Sequence, residues 1–196
     1  MIENISRVCV YCASSTQANR KYSEAARRLG ALLANHSITI IYGGGMVGSM
    51  GALADGALAK GGEIIGIIPA FMYDMEWGHP EITELRVVGD MHTRKRDMME
   101  GSDAIIALPG GSGTMEELLE AITWKRLGIY LNPIVLVNLA GFYTSLIQML
   151  NYSIDEHFMD KRHRDMWSVV DKVETVPEAL RSAPGWDADN RDFAAI

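Results

Sequence analysis

Cysteine is scarce. The 196-residue chain has two, Cys9 and Cys12, against twelve methionines. That excludes a disulfide scaffold and fits a reducing, cytoplasmic compartment. The Cys-x-x-Cys spacing admits redox or metal chemistry. However, residues three apart on a strand point to opposite faces, and no second pair completes a zinc site, so packing as small hydrophobes is the plainer reading. Long apolar runs are also missing, and none reaches the length that spans a bilayer. Met1-Ile2-Glu3-Asn4 leads straight into a strand-like segment, with no signal-peptide pattern. Positive charge is in deficit: Lys and Arg number 18, Asp and Glu 25, for a net charge of −7. That argues against a broad nucleic-acid or anionic-membrane surface. An anionic ligand would need local positive features instead.

One stretch supplies them: Leu108-Pro109-Gly110-Gly111-Ser112-Gly113-Thr114-Met115-Glu116-Glu117. The apolar run Ala104–Leu108 enters it, and the helical pattern Leu118–Trp124 leaves it. This is strand, glycine turn, helix start. Glycines let a ligand approach the backbone N–H groups, and a helix N-terminus adds unpaired donors and partial positive charge. Gly110, Gly111, Ser112, Gly113 and Thr114 therefore form a candidate phosphate cradle. Two carboxylates, Glu116 and Glu117, follow directly.

Around it, strand and helix patterns alternate. Val8–Cys12 is a strand, followed by Ala13-Ser14-Ser15. Tyr22–Asn35 is an amphipathic helix with Ala25, Leu29, Leu32 and Leu33 inward. Ile38–Tyr42 runs into Gly43-Gly44-Gly45-Met46-Val47-Gly48. Gly43-x-Gly45-x-x-Gly48 matches the dinucleotide fingerprint formally, but no acidic residue ends the next strand, Ile64–Ile68. A close-approach loop over a ligand, a plain tight turn and a dinucleotide site all remain open. Leu53–Lys60 is helical, stopped by Gly61-Gly62. Phe71–Pro80 lacks a period and reads as a loop or short helix beside a site, so Phe71–Glu84 is expected to shape a pocket. Leu85–Val88 is a strand, and Asp90 caps a helix from Met91 to about Gly101. That helix opens His92-Thr93-Arg94-Lys95-Arg96, either a solvated basic face or a phosphate or sugar clamp. Pro133–Asn138 is a buried strand, and Phe142–Tyr152 a helix. His157 and His163 fit no helical metal pair and are expected at the surface. Trp167–Val170 is a last strand, and Pro177–Arg181 a last helix. The pattern is α/β, with one doubly wound, Rossmann-like parallel sheet and helices on both faces. It places a single domain over 1–183 and a loose tail over 184–196.

Thr114-Met115-Glu116-Glu117 also matches a capping box, with Thr114 as cap and Glu117 at N3. Capping and catalysis both explain Glu117. At a helix start it would be ionised, which suits stabilising an oxocarbenium-like state or activating water. Arg94 cannot act as a base, but it can hold a phosphate or hydroxyl.

Pro109-Gly110-Gly111-x-Gly113-Thr114-x-x-Glu117, preceded by Asp90-Met91-His92-x-Arg94-Lys95, resembles the Lonely Guy family. So do Tyr42–Gly51, Cys12-x-Ser14-Ser15 and Thr123-Trp124-x-x-Leu127-Gly128, together covering roughly residues 7 to 150. These enzymes are cytokinin riboside 5′-monophosphate phosphoribohydrolases, long mislabelled as lysine decarboxylases. The resemblance implies hydrolysis of a purine nucleoside 5′-monophosphate, AMP or its N6-isopentenyl form, to free base and ribose 5-phosphate, with no metal or organic cofactor. It implies Arg94 and Glu117 as catalytic residues and Gly111–Thr114 as the phosphate turn. Lys95, Thr123, Met91, Ser14, Gly43 and Gly44 become substrate-side positions. Glu81 matches a substrate contact, but the segment from there to Met91 is short, which leaves Glu84 as a substitute. A homodimer is also implied, with Met98, Met99 and Trp124 as candidate surface residues. The decarboxylase label would need pyridoxal phosphate on a Schiff-base lysine, and Lys60 and Lys95 carry no such signature. A nucleotide carrier of the same fold that performs no chemistry is the competing reading.

Overall fold

The computed structural model describes residues 5–75 and 77–189. Seven strands form one sheet: β1 Arg7–Tyr11, β2 Thr39–Tyr42, β3 Ile64–Pro69, β4 Glu84–Val88, β5 Ala104–Ala107, β6 Ile134–Val137 and β7 Ser168–Val170. Their order is β4-β3-β2-β1-β5-β6-β7, and every neighbouring pair is parallel. The helices are α1 Arg20–Asn35, α2 Gly48–Leu58, α3 Ala70–Tyr73, α4 Met91–Glu100, α5 Ser112–Arg126, α6 Thr144–Asp155 and α7 Val176–Ser182.

The central strands β1, β2, β3, β5 and β6 are apolar on both faces because helices cover both, whereas the edge strands β4 and β7 are half open to solvent. Val8, Val10 and Cys12 pack with Ala25 and Leu29 of α1, Leu53 of α2 and Leu180 of α7. Cys9 and Tyr11 pack on the other side with Met98 of α4, Leu118 and Ile122 of α5 and Leu150 of α6. The two thiols thus lie on opposite faces, as strand parity requires, and both are buried. Burial pushes each well above the usual thiol range, which leaves them protonated and unreactive.

Four features differ from the sequence reading. Helix α2 starts at Gly48 rather than Leu53, so the end of the first glycine loop is already helix. Met98 and Met99 are buried in the chain's own core and offer no surface to a partner. His163 is fully buried rather than superficial: its Nδ1 accepts from the Asp160 N–H at 2.9 Å while the Asp160 side chain caps the same short helix. His157 is exposed. The described part of the expected loose tail, through Asp189, is docked. Trp186 donates from Nε1 to the Lys125 carbonyl at 2.8 Å and packs on the second core layer. Residues 190–196 lie outside the described residues.

From β1 the chain winds outward through β2, β3 and β4, then returns to lay β5 on the other side of β1. The connections after β1 and β5 diverge at this reversal. That opens a crevice at the carboxyl ends of the strands, where such sheets bind ligands.

Candidate active site

A cavity of about 620 Å³ fills that crevice, within the range of small-molecule sites. Its wall comes from five connections: Cys12–Ser15 after β1, Gly43 and Gly45–Val47 after β2, Met72 and Trp77 after β3, Met91 and Arg94 of α4, and Gly111–Thr114 with Glu116 and Glu117 of α5.

Asp90 sets the start of α4, its Oδ1 accepting from the Thr93 N–H at 2.8 Å. The following turn aims Arg94 and Lys95 inward, whereas His92 and Arg96 stay exposed. The basic run is therefore not a solvated face. Arg94 is 5% exposed. Its Nε donates to the Ile67 carbonyl at 3.0 Å and its Nη2 to the Gly43 carbonyl at 3.1 Å. Two backbone bonds hold the guanidinium plane, and Nη1 lies between two other residues of the wall, 3.8 Å from Met91 Sδ and 3.9 Å from Glu117 Oε1. A Cβ on residue 43 would stand 2.1 Å from Nη2, so Gly43 makes room for this arginine.

The capping-box expectation is overturned. Helix α5 begins at Ser112, and its cap residue is Gly111, with no side-chain cap bond. Thr114 lies within the first turn and Glu117 in the second, so neither caps. Pro109 before the turn supplies no N–H, and the N–H groups of Ser112, Gly113 and Thr114 have no intrahelical acceptor. These residues line the cavity, and beyond the turn's own neighbours nothing lies within 4 Å of a Cβ built on Gly111 or Gly113.

The carboxylate differs from expectation for the same reason. One turn into the helix and 6% exposed, Glu117 gains little from the helix terminus. Burial pushes it up to about 7, opposed by the Arg94 guanidinium and reinforced by Glu116. It is a carboxyl poised near neutrality, able to accept or deliver a proton, rather than a fixed anion.

Ser14, Gly43, Met91, Gly111, Ser112, Gly113 and Thr114 share the cavity wall with Arg94 and Glu117. Other expected residues are elsewhere. Gly44, with φ of +78°, faces Leu85 and Ile68, and Gly110 abuts the Thr114 side chain. Lys95 is off the wall, its Nζ 2.5 Å from Glu116 Oε1 and 2.9 Å from Glu120 Oε2. Thr123 is exposed, its hydroxyl donating to the Leu119 carbonyl at 2.8 Å. Glu81 is exposed and off the wall. Glu84, its substitute, pairs with Arg86 at 2.6 Å. Met72 and Trp77 come from the segment Phe71–Glu84, as expected, but sequence reading missed the apolar wall of Met46, Met50 and Ile68. The only signal was methionines set among glycines. Among the described residues, no group of His, Cys, Asp or Glu is placed to hold a metal ion. Nor, among the described residues, is any helix long and apolar enough to cross a membrane.

Fold and crevice define a Rossmann-like α/β protein whose site joins a helix start, an arginine and a carboxyl group. A family model described as "Possible lysine decarboxylase" matches residues 50–180. The cytokinin riboside 5′-monophosphate phosphoribohydrolase LOG4 of Arabidopsis thaliana is 42% identical over 199 residues, covering 96% of this chain and 93% of its own. LOG3 of the same plant, with the same activity in its name, is 42% identical over 160 residues, 82% of this chain and 74% of its own. The chain belongs to the Lonely Guy family. The molybdenum cofactor carrier protein of Chlamydomonas reinhardtii shares the fold, with TM-score 0.70 and 21% identity over 90% of this chain and 96% of that one.

Proposed function

We propose that this protein hydrolyses the N-glycosidic bond of a purine nucleoside 5′-monophosphate, releasing free base and ribose 5-phosphate. The observation that carries the proposal is the buried Arg94–Glu117 pair beside an uncovered helix start. The 5′-phosphate accepts from the N–H groups of Ser112, Gly113 and Thr114. Arg94 Nη1 holds a ribose hydroxyl. The base lies along Met46, Met72, Met91 and Trp77, whose thioether and aromatic surfaces adapt to adenine with or without an N6-isopentenyl group. The C1′–N9 bond breaks with its electron pair passing to the base. The ionised Glu117 carboxylate stabilises the oxocarbenium-like sugar and takes a proton from water as the water oxygen bonds to C1′. That proton then neutralises the departing base.

Pyridoxal chemistry does not fit, because among the described residues no lysine lines the cavity. A carrier would have no need of a carboxyl group raised into the working range of an acid–base catalyst. Incubation with AMP and with N6-isopentenyl-AMP, base release being read by chromatography, tests the proposal. Tight AMP binding with no base released over hours would replace it with the carrier reading.

We also propose a homodimer. Met115, Leu119, Leu127 and Ile129 expose apolar surface along and just beyond α5, where a second copy would cover it. Light scattering on the purified chain reads this directly.

A further inference from the structure

A residue outside the cavity wall holds the glycine turn in place. Tyr143 is 1% exposed and stands just before α6. Its hydroxyl donates to the Leu108 carbonyl at 2.7 Å. Leu108 is the last residue before Pro109 and the turn, and its own N–H donates to the Tyr11 carbonyl at 2.9 Å. Both backbone groups of Leu108 are thus fixed, one by β1 and one by Tyr143. Beyond them Pro109 contributes no N–H and fixes φ, so the path into Gly110-Gly111 depends on how Leu108 is set. Gly110 is then clamped by Thr114, whose Oγ1 lies 2.1 Å from where a Cβ would stand.

Tyr143 is itself directed from β6. Asn138, immediately after that strand, donates its N–H to the Val170 carbonyl at 2.7 Å. Its Oδ1 accepts from the Tyr143 N–H at 2.7 Å. Between them Ala140 takes a left-handed φ of +53°, which folds the connection tightly enough for the tyrosine to turn back to β5. The ring is seated edge-on against Phe142 at 5.1 Å. A phenylalanine would fill the same apolar space, so packing alone gives no reason for the hydroxyl.

We propose that Tyr143 is a positioning residue for phosphate recognition: through the Leu108 carbonyl it sets the N–H groups of Ser112, Gly113 and Thr114 against the 5′-phosphate. This rests on the reading of that helix start as the phosphate site. Without the hydroxyl a buried carbonyl is left unpaired and the turn relaxes. Affinity for the phosphate end then falls while the Arg94–Glu117 chemistry persists.

The test is Tyr143→Phe in the full chain, with AMP as substrate and ribose 5-phosphate and adenine as product inhibitors. The KM for AMP and the inhibition constant of ribose 5-phosphate should both rise about tenfold, the scale of one lost buried hydrogen bond. The kcat should stay within about twofold and adenine inhibition should not move. A lowered melting temperature with AMP and ribose 5-phosphate affinities unchanged would make Tyr143 merely structural and overturn the proposal. An equal loss of adenine affinity would overturn it too, because the whole cavity would then have shifted. If the phenylalanine variant does not fold, Asn138→Ala must give the same split between phosphate and base. If wild-type protein releases no adenine from AMP, the hydrolase reading fails alone, and calorimetric binding of inorganic phosphate then decides. Binding about tenfold weaker in Tyr143→Phe supports the anchor, and equal binding overturns it.

Discussion

The two glycine turns look alike as sequence and differ in what fills the space their missing side chains leave. After β2, that space is taken by the chain itself. A Cβ on Gly43 would meet the Arg94 guanidinium, and one on Gly48, where φ is +62°, would stand 2.6 Å from the Ser14 carbonyl carbon. After β5, the space at Gly111 and Gly113 is empty. The first turn is built around internal neighbours and the second leaves room for a ligand. Each delivers half of the buried pair: the Gly43 carbonyl holds Arg94, and the helix opening at Gly111 carries Glu117. A glycine motif therefore does not by itself mark a ligand loop. The test is whether its open side faces the chain or the cavity.

The sharpest check removes the proton-carrying group that the second turn presents. Glu117→Gln keeps the shape and should lower kcat by about a thousandfold or more, the scale of losing a group that acts in the transition state. Retained far-ultraviolet circular dichroism would show that the fold persists, and a full rate would remove Glu117 from the mechanism.

Gly43→Ala attacks the inner turn. The added methyl displaces Arg94, and an error of about 1 Å in a positioned group costs about a hundredfold in rate. A melting-temperature loss should accompany it. An unchanged rate would mean that the Gly43–Arg94 contact does not orient the arginine.

The pH dependence distinguishes a poised carboxyl from a fixed anion. Below about 7 Glu117 is increasingly protonated, so kcat/KM should fall about tenfold per pH unit on the acid side. The fold responds in the opposite sense. A carboxyl whose native pKa is raised keeps its proton where the unfolded chain has lost it. Its contribution to stability therefore declines as pH rises from the ordinary carboxylate range, about 4.3, to about 7, and is level beyond. Glu117→Gln should erase both the kinetic limb and this decline. An acid limb kept in the glutamine variant would assign it to another group.

Gly111→Ala is the mildest change. Residue 111 has φ of −83° and ψ of −159°, open to any residue, and free space for a methyl group. The melting temperature should hold, while the KM for AMP rises about tenfold as the methyl crowds the anion's approach. A stability loss here would erase the distinction between the turns.

Strand and helix periods carried most of the fold. The apolar runs at Val8, Ile64, Ala104 and Ile134 became strands of a sheet covered on both faces, and Asp90 capped α4 as its chemistry requires. The site was less legible. Arg94 and Glu117 stood out by motif, but the motif read Glu117 as a cap at a helix start. Backbone geometry moved that start to Ser112 and placed the side chain in a buried wall. The same loss of context turned His163, Met98 and Met99 into surface residues on paper.

The sequence by itself determined the alternation of elements, the family and the residue types that any chemistry must use, because period, turn chemistry and motif spacing are local. Only the tertiary structure decided which glycines face the chain and which the cavity. It alone showed that burial brings Glu117 to about 7, that Lys95 is tied to Glu116 and Glu120, and that Tyr143 reaches Leu108. Desolvation, ion pairing and the closing of a carbonyl by a distant hydroxyl all depend on what lies across the sheet, and no local pattern encodes that neighbour.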